Sequence, residues 1–304
     1  MLTPISRASR RGVTLAELLV VLVIMGIVGG VIMRVIVRQQ RFYASAAEIS
    51  STRGDLRDMA TLLPTDLRAI SSPGGDIYTM TDSSIDFRLP VGVSAICQLG
   101  AGLTSVVLPP STLASKSGVT SWITAPVSGD SVLIYDEGAS TATTDDVWRP
   151  YRITAAPTTA SCPTATGFTA TAAEAAAGVS LTISSALPAT TPQGSSMVFF
   201  RRAHYALFTT TTGQVMLGYF DCPAGTCSTM TPVAGPFLPY SATTSGVKFA
   251  YYDSTGVVTA VPTSVARIDV IVRAKTAAPV SLTGGSRSYL TDSLAFTVSL
   301  RNRQ

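Results

Sequence analysis

The chain has 304 residues, enough to bury a sizeable core in one or two domains. Charged residues make up only 13% of it, well below the roughly 25% of ordinary soluble domains, which suits a secreted or membrane-attached protein rich in Ser, Thr, Ala and Gly. The net charge is +4, but Arg7, Arg10 and Arg11 supply three of those units, and no later stretch forms a long Lys/Arg run with aromatics interleaved. That argues against nucleic acid as a partner.

Residues 1–12 are short, basic and polar, and residues 13–33 are almost wholly apolar. The apolar run is about the ~20 residues that a bilayer-spanning helix needs. No A-x-A cleavage site follows it, and the chain passes straight into Arg34, Arg38 and Arg41, so the segment reads as retained rather than discarded. Glu17 interrupts the run at a cost of about 2–3 kcal/mol by insertion scales. It lies only about 6 Å along a helix from Val13 at ~1.5 Å per residue. A cut after Gly12 would give Val13 a free α-amine, and such an amine on a neighbouring subunit would offset the buried carboxylate. Glu17 reaching to water at the headgroup level is the alternative.

Arg10-Arg11-Gly12-Val13-Thr14-Leu15-Ala16-Glu17-Leu18-Leu19-Val20 resembles the processing signal of type IV pilins and type II secretion pseudopilins. The resemblance implies cleavage after Gly12 by a prepilin peptidase, N-methylation of Val13, and subunit docking through Glu17. Val13 departs from the Phe or Met usual at that position in the family. The implied partners are the peptidase, other pilin or pseudopilin subunits, and the inner membrane. The implied location is a single-pass inner-membrane anchor with the head outside the cytoplasm, and then a filament.

An amphipathic helix is expected over 38–70. Phe42, Ile49, Leu56 and Leu63 recur every seven residues, and Ala46, Ala60 and Leu67 fall four after three of them. Pro64 is expected to kink or end it. Gly26, Gly29 and Gly30 permit local melting or close helix approach.

From residue 76 to 304 the pattern is β, with strands expected at 85–89, 132–135, 151–153, 179–183, 197–201, 204–208, 215–220, 247–252, 265–272 and 294–300. Strands without intervening helices argue for antiparallel sheet. The stretches 138–146 and 155–178 read as Thr/Ala/Ser-rich surface loops, the second with a short helix over 171–177. The fold class is α+β: a long amino-terminal helix, membrane-spanning in its first half and amphipathic in its second, packed on an antiparallel head. The pattern at 246–270, with the helix tail Asp66-Leu67-Arg68, resembles minor subunits of the PilW and GspJ type.

Four cysteines permit three pairings. Outside the cytoplasm, Cys222 and Cys227 suit a small loop, leaving Cys97 with Cys162; a zinc site is the rival reading. No nucleotide, metalloprotease or hydrolase motif is present. His204 reads as a strand-face residue, and Trp122 and Trp148 as core. Asp136-Glu137 and Asp145-Asp146 could bind a cation, but without EF-hand spacing they read as solvated acids, with no metal and no cofactor expected. The sequence therefore predicts a minor pilin or pseudopilin without enzymatic activity. The competing expectations are an adhesive or ligand-binding head on a pilus stalk and a signal-anchored surface enzyme.

Overall fold

The computed structural model describes residues 14–114, 118–140, 143–222, 227–228, 230–281 and 286–300. It divides into two compact units, one of residues 1–51 with 276–290, the other of 52–275 with 291–304. Helix α1, Leu15–Leu67, contributes to both.

In the first unit, α1 is apolar on all sides from Leu15 to Ile36, and its large side chains there are exposed. Further along, the segment after residue 276 fastens onto the helix. Ala278 donates its N–H to Glu48 Oε1 at 3.0 Å, and Ser281 donates to Ser45 Oγ at 3.2 Å. Val280 and Ser288 form an antiparallel bridge in that segment.

In the second unit the strands follow in chain order: β1 Ile77–Met80, β2 Ser84–Ala95, β3 Gln98–Leu99, β4 Ser105–Leu108, β5 Ser121–Trp122, β6 Ser131–Asp136 and β7 Val147–Arg152. After β8 Thr158–Ala160 come helix α2 Ala172–Ala176, β9 Gly178–Thr182, β10 Ser196–Thr209, β11 Val215–Asp221 and β12 Thr231–Ala234. The last three are β13 Val247–Tyr252, β14 Arg267–Lys275 and β15 Thr291–Ser299. They form three antiparallel sheets. One runs β1-β2-β10-β11-β12 with β5, β6 and β7 attached, one β3-β4-β9-β8, and one β13-β14-β15. The expected α+β class, with a long amino-terminal helix and an antiparallel β region, is the one observed.

Two main cores fill this unit. The first packs Leu56, Met59, Leu63, Leu67 and Ile70 against Phe87, Tyr205, Phe237, Phe249 and the inner faces of β13–β15. The second gathers Val91, Val106, Leu108, Ile134, Leu181 and Phe199. The fourteen residues of β10 reach from one core to the other.

Several expectations need correction. The buried helix stripe is Ser45, Thr52, Leu56, Met59, Leu63 and Leu67, whereas Phe42 is 58% exposed and Ala46 is exposed. A strict seven-residue repeat drifts ~20° per heptad on a straight 3.6-residue helix, so the expected stripe slid off the buried face towards its start. Pro64 sits inside the helix, which runs on to Leu67. The strands expected at 197–201 and 204–208 are one strand. The apparent break, Arg202, is accommodated because its guanidinium pairs with Asp86 and lies 5.0 Å over the Tyr78 ring.

Strand β2 continues past Leu89 because Pro90 lies at an irregularity in the ladder, where Phe199 pairs with Gly92 and Phe200 with Pro90. Gly92 is needed there: a Cβ would meet Trp122 Cε3 at 2.3 Å. The stretch 155–178 is not one open loop, since it holds β8 and α2. The short helix falls where it was expected, with Thr171 and Glu174 forming a capping box. Trp148 is 44% exposed and packs on Tyr135 rather than in a core, while Trp122 is half-buried against Phe199.

Candidate functional site

The residues from Thr14 to Arg41 form the candidate site, together with Gly12 and Val13, which lie outside the described residues. Thr14 precedes the first helical residue and accepts from the Glu17 N–H at 3.3 Å through its hydroxyl. Glu17 Oε2 reaches back to the Thr14 N–H at 3.0 Å and to the Thr14 hydroxyl at 3.2 Å. This reciprocal pair is a capping box, and it satisfies two amide groups that a helix start leaves without partners. Sequence reasoning gave Glu17 only a docking or headgroup role. The spacing Thr14-Leu15-Ala16-Glu17 is itself the signal that identifies a cap.

The box has a chemical consequence. It fastens the carboxylate at the first turn, beside the backbone of the residue that follows Val13. The positive end of the helix dipole also favours a carboxylate there. Both described hydrogen bonds of Glu17's carboxylate use Oε2.

Beyond the box, leucine, valine and isoleucine cover all faces. Gly26 and Gly30 lie one turn apart on one face, and apart from the adjoining residues and the helix's own backbone no atom lies within 4 Å of where their Cβ atoms would stand. Among the described residues, α1 is the helix long and apolar enough to cross a membrane. Arg34, Arg38 and Arg41 follow on one exposed face, spaced so that their long side chains can reach a polar interface.

The head residues named from sequence have structural partners. Cys97 is bonded to Cys162, with Cα atoms 5.7 Å apart, and Cys222 is bonded to Cys227. Both thiol pairs are thereby withdrawn from metal binding. His204 packs edge-on against Phe220 at 5.5 Å, and burial lowers its pKa. Asp136 is buried and paired with Arg149 at 2.7 Å. Asp145 closes its own loop by accepting from the Ala139 and Ser140 N–H groups, and Asp146 accepts from the Tyr135 hydroxyl at 2.6 Å. That bond pushes the Tyr135 pKa up to about 12. Among the described residues, no group of three or more His, Cys, Asp or Glu side chains is placed to hold a metal.

An acid–tyrosine network that sequence reasoning missed joins helix to sheet. The Tyr205 hydroxyl donates to Asp66 Oδ2 at 2.6 Å, and its ring lies 5.2 Å from that of Tyr219. Tyr219 donates to Asp221, which also pairs with Arg201. Burial raises the Asp66 pKa, with the Tyr205 hydrogen bond pulling the other way. No sequence signal pairs residues 139 apart.

A family model described as "Prokaryotic N-terminal methylation motif" matches residues 7–33. Comparison with curated proteins and with solved structures finds no match. The matched span takes in the basic leader, Gly12, Val13, the capping box and most of the apolar run. A pilin-type motif of this kind, leading into an apolar helix, supports a type IV pilin-like or pseudopilin precursor. It implies processing by a prepilin peptidase, membrane anchoring, and assembly with other subunits of the class.

Proposed function

We propose that this chain is a minor pilin or pseudopilin, a structural subunit cut after Gly12, methylated on Val13 and built into an envelope filament through its apolar helix. It acts by packing, not by catalysis. The observation that carries this reading is the methylation motif running without interruption into a helix that bears apolar side chains on every face. Such a surface needs lipid or other helices around it. The size of the β region and the loose likeness of residues 246–270 to PilW and GspJ subunits favour the minor role.

Glu17 then has two tasks. Oε2 closes the first turn within the chain, and the charge neutralises the new amine of a neighbouring subunit during docking. The leading test is intact-mass and amino-terminal peptide analysis of the protein from its native membrane. The expected product begins at Val13 and carries one added methyl group; retention of residues 1–12 would overturn the assignment. Glu17→Gln separates the two tasks, because glutamine also serves in a capping box but carries no charge. The variant is expected to fold and reach the membrane yet fail to enter filaments. Normal incorporation would sink the charge-pairing role.

A further inference from the structure

A strand at the edge of a sheet presents a row of N–H and C=O groups without partners, and natural proteins blunt such edges with shortness, charge, proline or a covering segment. Most edges in this head follow that rule. β1, β3, β5, β8 and β12 have four residues or fewer. β7 carries Arg149, Pro150 and Arg152. The outer side of β13 is met by the Asp82 carbonyl, which accepts from Phe249 at 2.8 Å, and by the Thr259 N–H, which donates to the Tyr251 carbonyl at 3.0 Å.

β15 is different. It runs nine residues at the end of its sheet, and its only charge, Asp292, is tied to Arg53 at 3.0 Å. The Leu300 N–H bonds across to the Ala266 carbonyl at 2.9 Å, so even-numbered residues bond into the ladder. The odd-numbered ones therefore aim their backbone groups outward. Of these, the Ser293 N–H is met by Asp292 Oδ1 at 2.9 Å. The outward groups of Thr291, Ala295, Thr297 and Ser299 have no backbone partner among the described residues. All five odd-numbered side chains are small, uncharged and exposed, while Leu294 and Phe296 on the opposite face are half-buried against the core.

We propose that β15 pairs with β15 of a second copy of this chain, antiparallel, about a two-fold axis at Ala295. This is the one antiparallel register in which all nine residues overlap. It sets Ala295 opposite the partner's Ala295, Ser293 opposite the partner's Thr297, and Leu294 opposite the partner's Phe296. Asp292 faces the partner's Val298, so no like charges meet, and the remaining pairs set apolar against apolar and hydroxyl against hydroxyl. A two-fold contact closes on itself and does not extend a filament. The pairing is thus distinct from the helix-mediated assembly proposed above, and its failure leaves the mass analysis of the amino terminus untouched.

All four native cysteines are in disulfides, so an introduced cysteine would be the lone free thiol. Paired outward residues in such a ladder lie about 5.5 Å apart at Cα, within disulfide range. In the full chain in detergent, Ala295→Cys is expected to form a linked dimer under mild oxidation. It should do so at least about tenfold faster than Ser254→Cys in the exposed turn after β13, because the paired thiols meet at raised effective concentration. Mixed Ser293→Cys and Thr297→Cys copies should link to each other faster than either links to itself. Ala295→Lys should sediment as a monomer that still melts cooperatively, where the unaltered chain is a dimer whose melting temperature rises with concentration. Equal rates for Ala295→Cys and Ser254→Cys would overturn the pairing, as would a monomeric unaltered chain. Linkage of Ala295→Cys in native membranes to a different polypeptide would overturn it too.

Discussion

From Leu18 to Ile36 helix α1 bears large apolar side chains on every face and exposes them, whereas further along Leu56, Met59, Leu63 and Leu67 make one stripe and are buried. Leu62, one residue off that stripe, is 39% exposed. Both halves belong to one continuous helix, so backbone geometry is not what separates them. A β-sheet face can cover one side of a helix and no more. A stripe is satisfied within the chain, while a surface apolar all round must be satisfied from outside it, by lipid or by neighbouring helices.

Changes in the head should therefore cost stability, and changes in the bare half should cost only assembly. The largest effect is expected from Cys97→Ser with Cys162→Ser, which opens a loop spanning 65 residues. Loop-closure entropy puts the loss at about 4 kcal/mol in denaturant titrations of the full chain. The apolar half should keep its helical circular dichroism signal throughout. Leu63→Ala comes next, at about 3 kcal/mol for a fully buried leucine, while Val23→Ala should move the same transition by less than about 0.5 kcal/mol. Equal effects would erase the distinction between the halves.

Tyr205→Phe should cost about 1–2 kcal/mol, because it strips the donor from a half-buried carboxyl. Asp66 also gives this end of the helix a pH dependence. Its pKa in the folded state is raised above the ordinary 3.8, so the folded protein holds the proton more tightly than the unfolded chain does. Its contribution is full below pH 3.8 and declines as the pH rises through the higher folded-state value. Asp66→Asn should flatten that decline in melts run at a series of pH values; an unchanged slope would show that Asp66 is not its source. The smallest effect belongs to Thr14→Ala, about 1 kcal/mol from the loss of the cap, seen as faster hydrogen exchange in the first turn of α1 and not in the melting of the head.

The comparison also explains how far the sequence could be read. The apolar run and the motif around Gly12 and Glu17 were legible because each is a local pattern, and so were the strands of β13 and β14, whose alternation is plain. The buried helix stripe was legible only in part, since the heptad reading drifted out of phase with the helix. β4 was missed because Ser105–Leu108 is too short to show a period before Pro109 ends it. β2 seemed to stop at Pro90 because only the irregularity opposite Phe199 and Phe200 makes a proline tolerable there.

What the sequence determined by itself was the amino-terminal segment of this protein, up to Ile36: a processing motif, a helix cap and a uniformly apolar helix, all set by neighbours within a turn or two. Tertiary structure decided the rest. It brought Tyr205 to Asp66, seated Arg202 on Asp86, and left the edge of β15 without a neighbour among the described residues. Those outcomes depend on which strands lie side by side. Strand order is chosen by the packing of whole faces against one another, and no local stretch of chain carries that information.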